Sequence, residues 1–194
     1  MDGHESLIYR LNEHDQICFV GEGWARFAEE NDAPGLADEK VLNLSLWDFI
    51  NDLETAHLYR EIVRRAREGR RVGFRFRCDS PARRRLLRME VTAHEGGGVQ
   101  FETVTLRAEQ RPYQPLLDVL VPRTKELLRV CSWCKKFDVG GGTWEEVEVA
   151  VARLGLFERE GLPRLTHGMC RPCHLSISER LSAIRSGDGR APQE

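Results

Sequence analysis

Residues 71–106, "RVGFRFRCDSPARRRLLRMEVTAHEGGGVQFETVTL", decide how the front of this chain folds. Val72, Phe74, Phe76 and Cys78 share one parity there, and Arg71, Arg75 and Arg77 share the other. Successive side chains of a strand point to opposite faces, so the apolar set belongs on a core and the arginines belong toward water. Leu87, Met89, Val91 and Ala93 repeat the pattern, and Val99 and Phe101 begin a third run. The connections "DSPARR" and "HEGGG" are short and rich in turn formers, which predicts an antiparallel three-stranded meander with one wet face.

Upstream, "LIYRLN" (7–12) and "ICFV" (17–20) flank the polar turn "EHDQ" and read as a hairpin. In "GEGWARFAEEND" Trp24, Phe27 and Ala28 recur at helical spacing, and "NDAPGLADEK" (31–40) follows as a loop. "LSLWDFI" is one apolar turn expected to pack through Trp47 and Phe49. From Asp52 to Glu68, the residues Leu53, Ala56, Tyr59, Ile62, Val63 and Ala66 form one helical stripe, with Gly69 as its stop. Two strands, small helices, one longer helix and a meander over residues 6–108 resemble a PAS sensor domain. The phrases "VLNLSLWDFIND", "YREIVRRAREGRRVGFRFRCDSP" and "RRRLLRMEV" are similar to those of bacterial PAS modules. The resemblance implies an α+β fold: a five-stranded antiparallel sheet with helices on one face, around a core that holds a ligand in some relatives. It also implies homodimerisation.

With 41% apolar and 31% charged residues and a net charge of -2, the chain shows no global pull toward nucleic acid or membrane. Charge is unevenly spread. Residues 1–57 hold 13 acidic and 3 basic side chains, whereas residues 58–88 hold 12 arginines against 3 acids. A solvated face that balances acidic neighbours accounts for the arginines, and a phosphate-binding patch is the competing reading. The acidic start "MDGHESLIYRLNEHD" is unlike a signal peptide and no apolar run is of membrane-spanning length, so a cytoplasmic protein is expected. There, six cysteines hold metal or stay as thiols. No nucleophile triad, phosphate-cradling loop or H-E-x-x-H is present, and no catalysis is expected.

Residues 109–128 read as a connector interrupted by Pro112, Pro115 and Pro122, with "LLDVL" and "TKELLRV" as short helical pieces. The expected organisation is a PAS-like sensor domain over 1–108, that connector, a small helical four-cysteine module over 129–185, and a disordered tail over 186–194.

Cys131 and Cys134 form one C-x-x-C pair, and Cys170 and Cys173 form another 35 residues on. Two such pairs can close a tetrahedral thiolate shell, for which zinc is the natural occupant. Thiolate softness also admits an iron–sulfur cluster, and paired thiols can act as a redox dithiol. "CRPCH" (170–174) spells a covalent haem signature as well, but haem accounts for two of the four cysteines and zinc for all four. Thr143 and Glu146 have capping-box spacing, which predicts a helix from Trp144 carrying Val147, Val151 and Leu154. A second helix is expected near Cys173 with Ile177, Leu181 and Ile184 inward. Two short helices give little core, so a metal would supply the missing stability.

"CSWCKK" followed by "THGMCRPC" closely resembles a cysteine-rich carboxy-terminal segment attached to many bacterial sensory proteins. The resemblance implies metal ligation by Cys131, Cys134, Cys170 and Cys173. His167 is the alternate ligand or a hydrogen-bonding neighbour of that shell, and Lys135 and Lys136 could offset its charge. His57, on the long helix, matches the place where haem-binding PAS domains carry an axial ligand. Cys18 and Cys78 read as small, mostly buried strand residues. The function these readings favour is a non-catalytic signal sensor whose zinc module presents a surface to a signalling partner. A zinc-dependent nucleic-acid-binding regulator using the arginines of residues 60–88, a thiol redox switch and a haem-based sensor are the alternatives.

Overall fold

A computed structural model describes residues 6–30 and 38–185; the 186–194 tail and most of the 31–40 loop lie outside the described residues. The front half runs β1 (Leu7–Leu11), β2 (Ile17–Val20), α1 (Gly23–Glu30), α2 (Asp38–Val41), a 3-10 turn (Leu46–Phe49) and α3 (Leu53–Arg67). It continues through β3 (Val72–Arg77), β4 (Arg83–His94) and β5 (Gly98–Gln110). These strands form one antiparallel sheet in the order β2-β1-β5-β4-β3. The expected meander and hairpin are both present, and the last strand returns to the centre beside the first.

Local chemistry explains each joint. Asn12 Oδ1 accepts from the backbone N–H groups of His14 and Gln16 at 2.9 and 3.0 Å, which closes the β1–β2 turn. Asp52 caps α3 by accepting from Thr55 N at 2.8 Å, and Gly69, at φ 80, ends it where a side chain would be strained. Gly98 begins β5 against β1, where an added Cβ would stand 2.6 Å from the Leu11 carbonyl oxygen. Further along the same β1–β5 ladder, Tyr9 pairs with Phe101 and their rings stack at 4.5 Å.

The apolar stripe of α3 faces the sheet through Ala56, Leu58, Ile62, Val63 and Ala66, while Leu53 is 84% exposed and is no part of it. Phe101, Leu11, Ile62, Val72, Val91 and Val99 are fully buried, each worth roughly 1.5–3 kcal/mol of transfer free energy. In the 3-10 turn Leu46 is the buried residue; Phe49 is exposed, and Trp47 is half-buried with its indole N–H donating to Asp15 at 2.9 Å.

The rear half differs from the expected helical module. A 3-10 turn (Pro115–Leu117) leads into β6 (Arg123–Cys131), followed by β7 (Phe137–Asp138), β8 (Trp144–Glu145), α4 (Val147–Arg153), β9 (Leu162–Gly168) and α5 (Arg171–Arg185). The strands make a second sheet in the order β8-β7-β6-β9, with β6 and β9 parallel. "TKELLRV" is therefore strand rather than helix, because Leu128 and Val130 alternate with Arg129 and are buried on one face. The Thr143–Glu146 capping box does not form either: Trp144 and Glu145 pair with β7, and α4 starts later, with Glu146 itself at the N-cap position and making no side-chain cap hydrogen bond. Leu116, Leu128, Val130, Phe137, Val147, Ala150, Val151, Leu156 and Leu162 form a core of the rear half's own, where little was expected.

Candidate metal centre

Cys131 closes β6, and its pair Cys134 follows in a tight turn in which Lys135 N donates to Cys131 O at 3.0 Å and Cys131 N donates to Lys136 O at 2.8 Å. Lys135 takes φ 58 to complete the turn. The parallel register sets Cys131 opposite Gly168, and Ser132 N donates to Gly168 O at 2.8 Å. This single pairing carries the second cysteine pair to the first across the intervening chain. Cys170 precedes α5 and Cys173 lies in its first turn, where the unpaired N–H groups and helix dipole favour negative sulfur.

All four Sγ atoms lie within 4.8 Å of one another. Cys170 Sγ is 3.7 Å from Cys131 Sγ and 3.7 Å from Cys134 Sγ. Tetrahedral bonds of about 2.3 Å to a single zinc require sulfurs about 3.8 Å apart, and disulfides require about 2.05 Å. A multi-iron cluster spreads its thiolates over several metals and needs a wider set. The group can thus hold one metal ion and is compatible with zinc.

Crowding four thiols has an electrostatic consequence. Hydrogen bonds from Cys134 and Cys173 hold the Cys131 thiol well below the ordinary thiol value. Donating to that thiolate pushes Cys134 up to about 12 and Cys173 higher still. One negative sulfur makes the next costly, and a divalent cation is what would let all four ionise together.

The environment of the sulfurs is uneven: Cys131 and Cys170 are 0% and 3% exposed, and Cys134 and Cys173 are partly exposed. Between the first pair, Trp133 turns into the front core, 4.8 Å from Phe74 and 6.0 Å from Tyr59 between ring centroids. Its carbonyl accepts from Arg77 N, on the edge strand β3, at 2.8 Å. Cys131, Trp133, Met169, Cys170, Ile177 and Leu181 consequently belong to the same apolar cluster as Tyr9, Ile62 and Phe101. The spacing in "CSWC" finds the sulfurs; only the tertiary contact identifies Trp133 as a joint.

A second joint is ionic. Arg77 Nη1 donates to both carboxylate oxygens of Glu146 at 2.8 and 2.7 Å and its other nitrogens engage Asp79. Arg84 lies 3.3 Å from Glu146 and 3.4 Å from Glu148, and Arg111 lies 3.3 Å from Asp79. Burial opposes the charge of Arg77, yet the hydrogen bonds to Asp79 and Glu146 outweigh it and raise its affinity for the proton. The face expected to be wet is thus partly covered, and Arg65 and Arg85 are buried as well, their Nε atoms donating to Leu181 O and Cys78 O at 3.1 Å each. Sequence alternation marks a face as polar but cannot reveal that a later segment returns to cover it.

The remaining candidates sit elsewhere. His167 is not in the sulfur group; it lines a cavity of about 270 Å³ with Asp52, Tyr59 and Ser132. Desolvation and then Lys135 press its imidazole below the usual histidine value, although the residue as a whole is exposed. Lys135 and Lys136 are half-buried beside the first pair. His57 is exposed, one position past the buried Ala56, so it turns away from the core where a haem would bind. Cys18 is exposed rather than buried, and Cys78 is half-buried with its thiol pushed up chiefly by desolvation.

Among the described residues no helix is long and apolar enough to cross a membrane. No protein-family model matches the chain, and no curated protein matches it at a significant level.

Proposed function

We propose that the chain is a cytoplasmic signal sensor of PAS type whose zinc-stabilised rear half presents a surface to a signalling protein. The observation that carries this reading is Trp133. It sits between two of the four clustered cysteines and packs against Phe74 and Tyr59, so a change in the front core and a change at the sulfur cluster are felt by the same side chain. The strand order β2-β1-β5-β4-β3, with α3 over one face, supports the PAS-type assignment. Cys131, Cys134, Cys170 and Cys173 would hold the metal, which when bound cross-links β6 to the start of α5.

Coupling then follows from packing. Two arrangements of the rear half, biased by what the front core holds, would expose different surfaces to a partner or to a second copy of the chain. Leu120 and Leu127, 79% and 67% exposed, supply apolar area for such contacts. Arg77, Arg84 and Arg111 are engaged by Asp79, Glu146 and Glu148, which favours this reading over one in which the arginine run grips phosphate. Metal analysis and an absorption spectrum of the purified chain test the proposal. One zinc per chain with no visible band is the expected result; brown charge-transfer bands or a Soret band would replace zinc by iron–sulfur or haem.

A further inference from the structure

A groove of about 410 Å³ runs beside the sulfur cluster, and Cys134 and Cys173 form part of its wall. Phe76, Trp133 and Ile177 supply apolar lining, and among the described residues no carboxylate lines it. Arg75 on β3 and Arg180 on α5 stand at it, both exposed. Arg77 is there too, but its charge is met by Asp79 and Glu146. Arg180 donates to Gly73 O at 3.2 Å and has no carboxylate partner among the described residues. The other two sulfurs, on Cys131 and Cys170, are sealed in the core. The cluster therefore has a dry half and an approachable half, and the approachable half is reached through a cationic groove.

We propose that Cys134 and Cys173 are a modification site for a small anionic disulfide, which enters the groove and oxidises them to a Cys134–Cys173 disulfide, dismantling the metal site. This inference rests on the zinc reading above and names its regulation. One thiolate of the pair attacks a sulfur of the incoming disulfide, whose S–S bond breaks to leave a mixed disulfide and release one small thiolate. The second protein thiolate attacks the cysteine sulfur of that mixed disulfide, and the other half departs as a thiolate. Two electrons pass from the cysteine pair to the small disulfide, and no other reactant is needed. The two Sγ atoms already lie within 4.8 Å of each other, against about 2.05 Å in a disulfide, so the pair is close before reaction. Only two thiolates then remain, too few to hold the ion. Arg180 sets the preference for an anion, because a cleft of one charge sign concentrates the opposite ion and raises its encounter rate.

The test uses the full zinc-loaded chain with oxidised glutathione, and with the neutral hydroxyethyl disulfide as comparison. Zinc release is followed with a chromogenic chelator and the products are mapped by peptide mass spectrometry. Oxidised glutathione is expected to release zinc at least about tenfold faster than the neutral disulfide at low salt. Arg180→Gln should remove that preference while leaving the neutral rate unchanged, and the mapped bond should join Cys134 to Cys173. Equal rates for the two probes, a disulfide that includes Cys131 or Cys170, or retention of zinc by a loaded chain would each overturn the inference. A chain purified without zinc would instead overturn the zinc reading, which keeps the two failures distinct.

Discussion

In the front sheet β4 and β5 pair from Arg83↔Gln110 to His94↔Gly98 with one register shift at Leu86/Leu87, whereas in the rear sheet β7 and β8 contribute two residues each. The front core is closed by a 15-residue helix whose inner stripe is buried along its length; the rear core has only the seven residues of α4 over it. Long antiparallel pairing and an amphipathic helix give a region stability of its own. The two-residue strands β7 and β8 do not, so beside its own small core and the β6–β9 pair the rear half leans on cross-links: the sulfur cluster, Trp133 in the front core, and the carboxylates of Glu146 and Glu148 on Arg77, Arg84 and Arg111. Stability here therefore runs from front to rear along these contacts.

Removing the metal should separate the two regions most sharply. Cys170→Ser, or a strong chelator acting on the intact chain, is expected to remove metal-linked folding free energy on the order of 10 kcal/mol from the rear half. Hydrogen exchange should show amides of β6 and β9 losing protection while those of β4 and β5 keep theirs. Uniform loss across both sheets would mean that the front half leans on the rear, the reverse of the asymmetry above. Trp133→Ala comes next, at about 3–5 kcal/mol, since the indole is 8% exposed and packed on two rings. Denaturant unfolding should register that cost in both regions, with metal content unchanged. A cost below about 1 kcal/mol would show that Trp133 does not join the cores.

How far these joints were legible in the sequence depends on whether the signal is local. Period-two alternation in Val72–Phe76 and Leu87–Val91, and the stripe from Ala56 to Ala66, lie within single elements, and the front half follows from them. The four cysteines are legible because ligand spacing is itself a local rule. Their meeting needs β6 beside β9, a parallel pairing with a long crossover that no short window contains. The "TKELLRV" error has the same origin. Its residues tolerate helix, and the neighbouring strand β9 decides otherwise. Arg77 read as a solvated residue for want of Glu146, which is 69 positions away.

Glu146→Gln probes that ionic joint with a smaller expected effect. Gln keeps one acceptor for Arg77 but withdraws a charge from a pair in which Arg77's side chain is 14% and Glu146's 29% exposed. Stability should fall by about 1.5–3 kcal/mol, the range for a hydrogen bond to a charged partner. The loss should appear in α4 and β8 before the front sheet, by residue-resolved exchange. An equal loss in α3 would place Glu146 outside the joint.

The smallest effect belongs to Glu61, which tunes the seam between α3 and α5. Arg65 is 4% exposed and donates through Nε to Leu181 O, while its Nη1 pairs with Glu61 at 2.6 Å. Hydrogen bonds from Arg64 and then Arg65 hold the Glu61 carboxyl down at about 2, with burial opposing them. An unfolded glutamate titrates near about 4.3, so the folded chain binds this proton less readily than the unfolded one. The resulting stability is fully present above the unfolded value and disappears as pH falls through about 2. Glu61 is 28% exposed, and solvent screening limits the gain to about 1 kcal/mol or less. Glu61→Gln should therefore be slightly less stable than the parent at pH 7, with the gap closing between about pH 4 and pH 2. A carboxyl titration followed by NMR should place the Glu61 midpoint near 2. If the midpoint instead sits near the unfolded value, Arg65 is held by the Leu181 carbonyl and packing alone, and the α3–α5 seam carries no charge linkage.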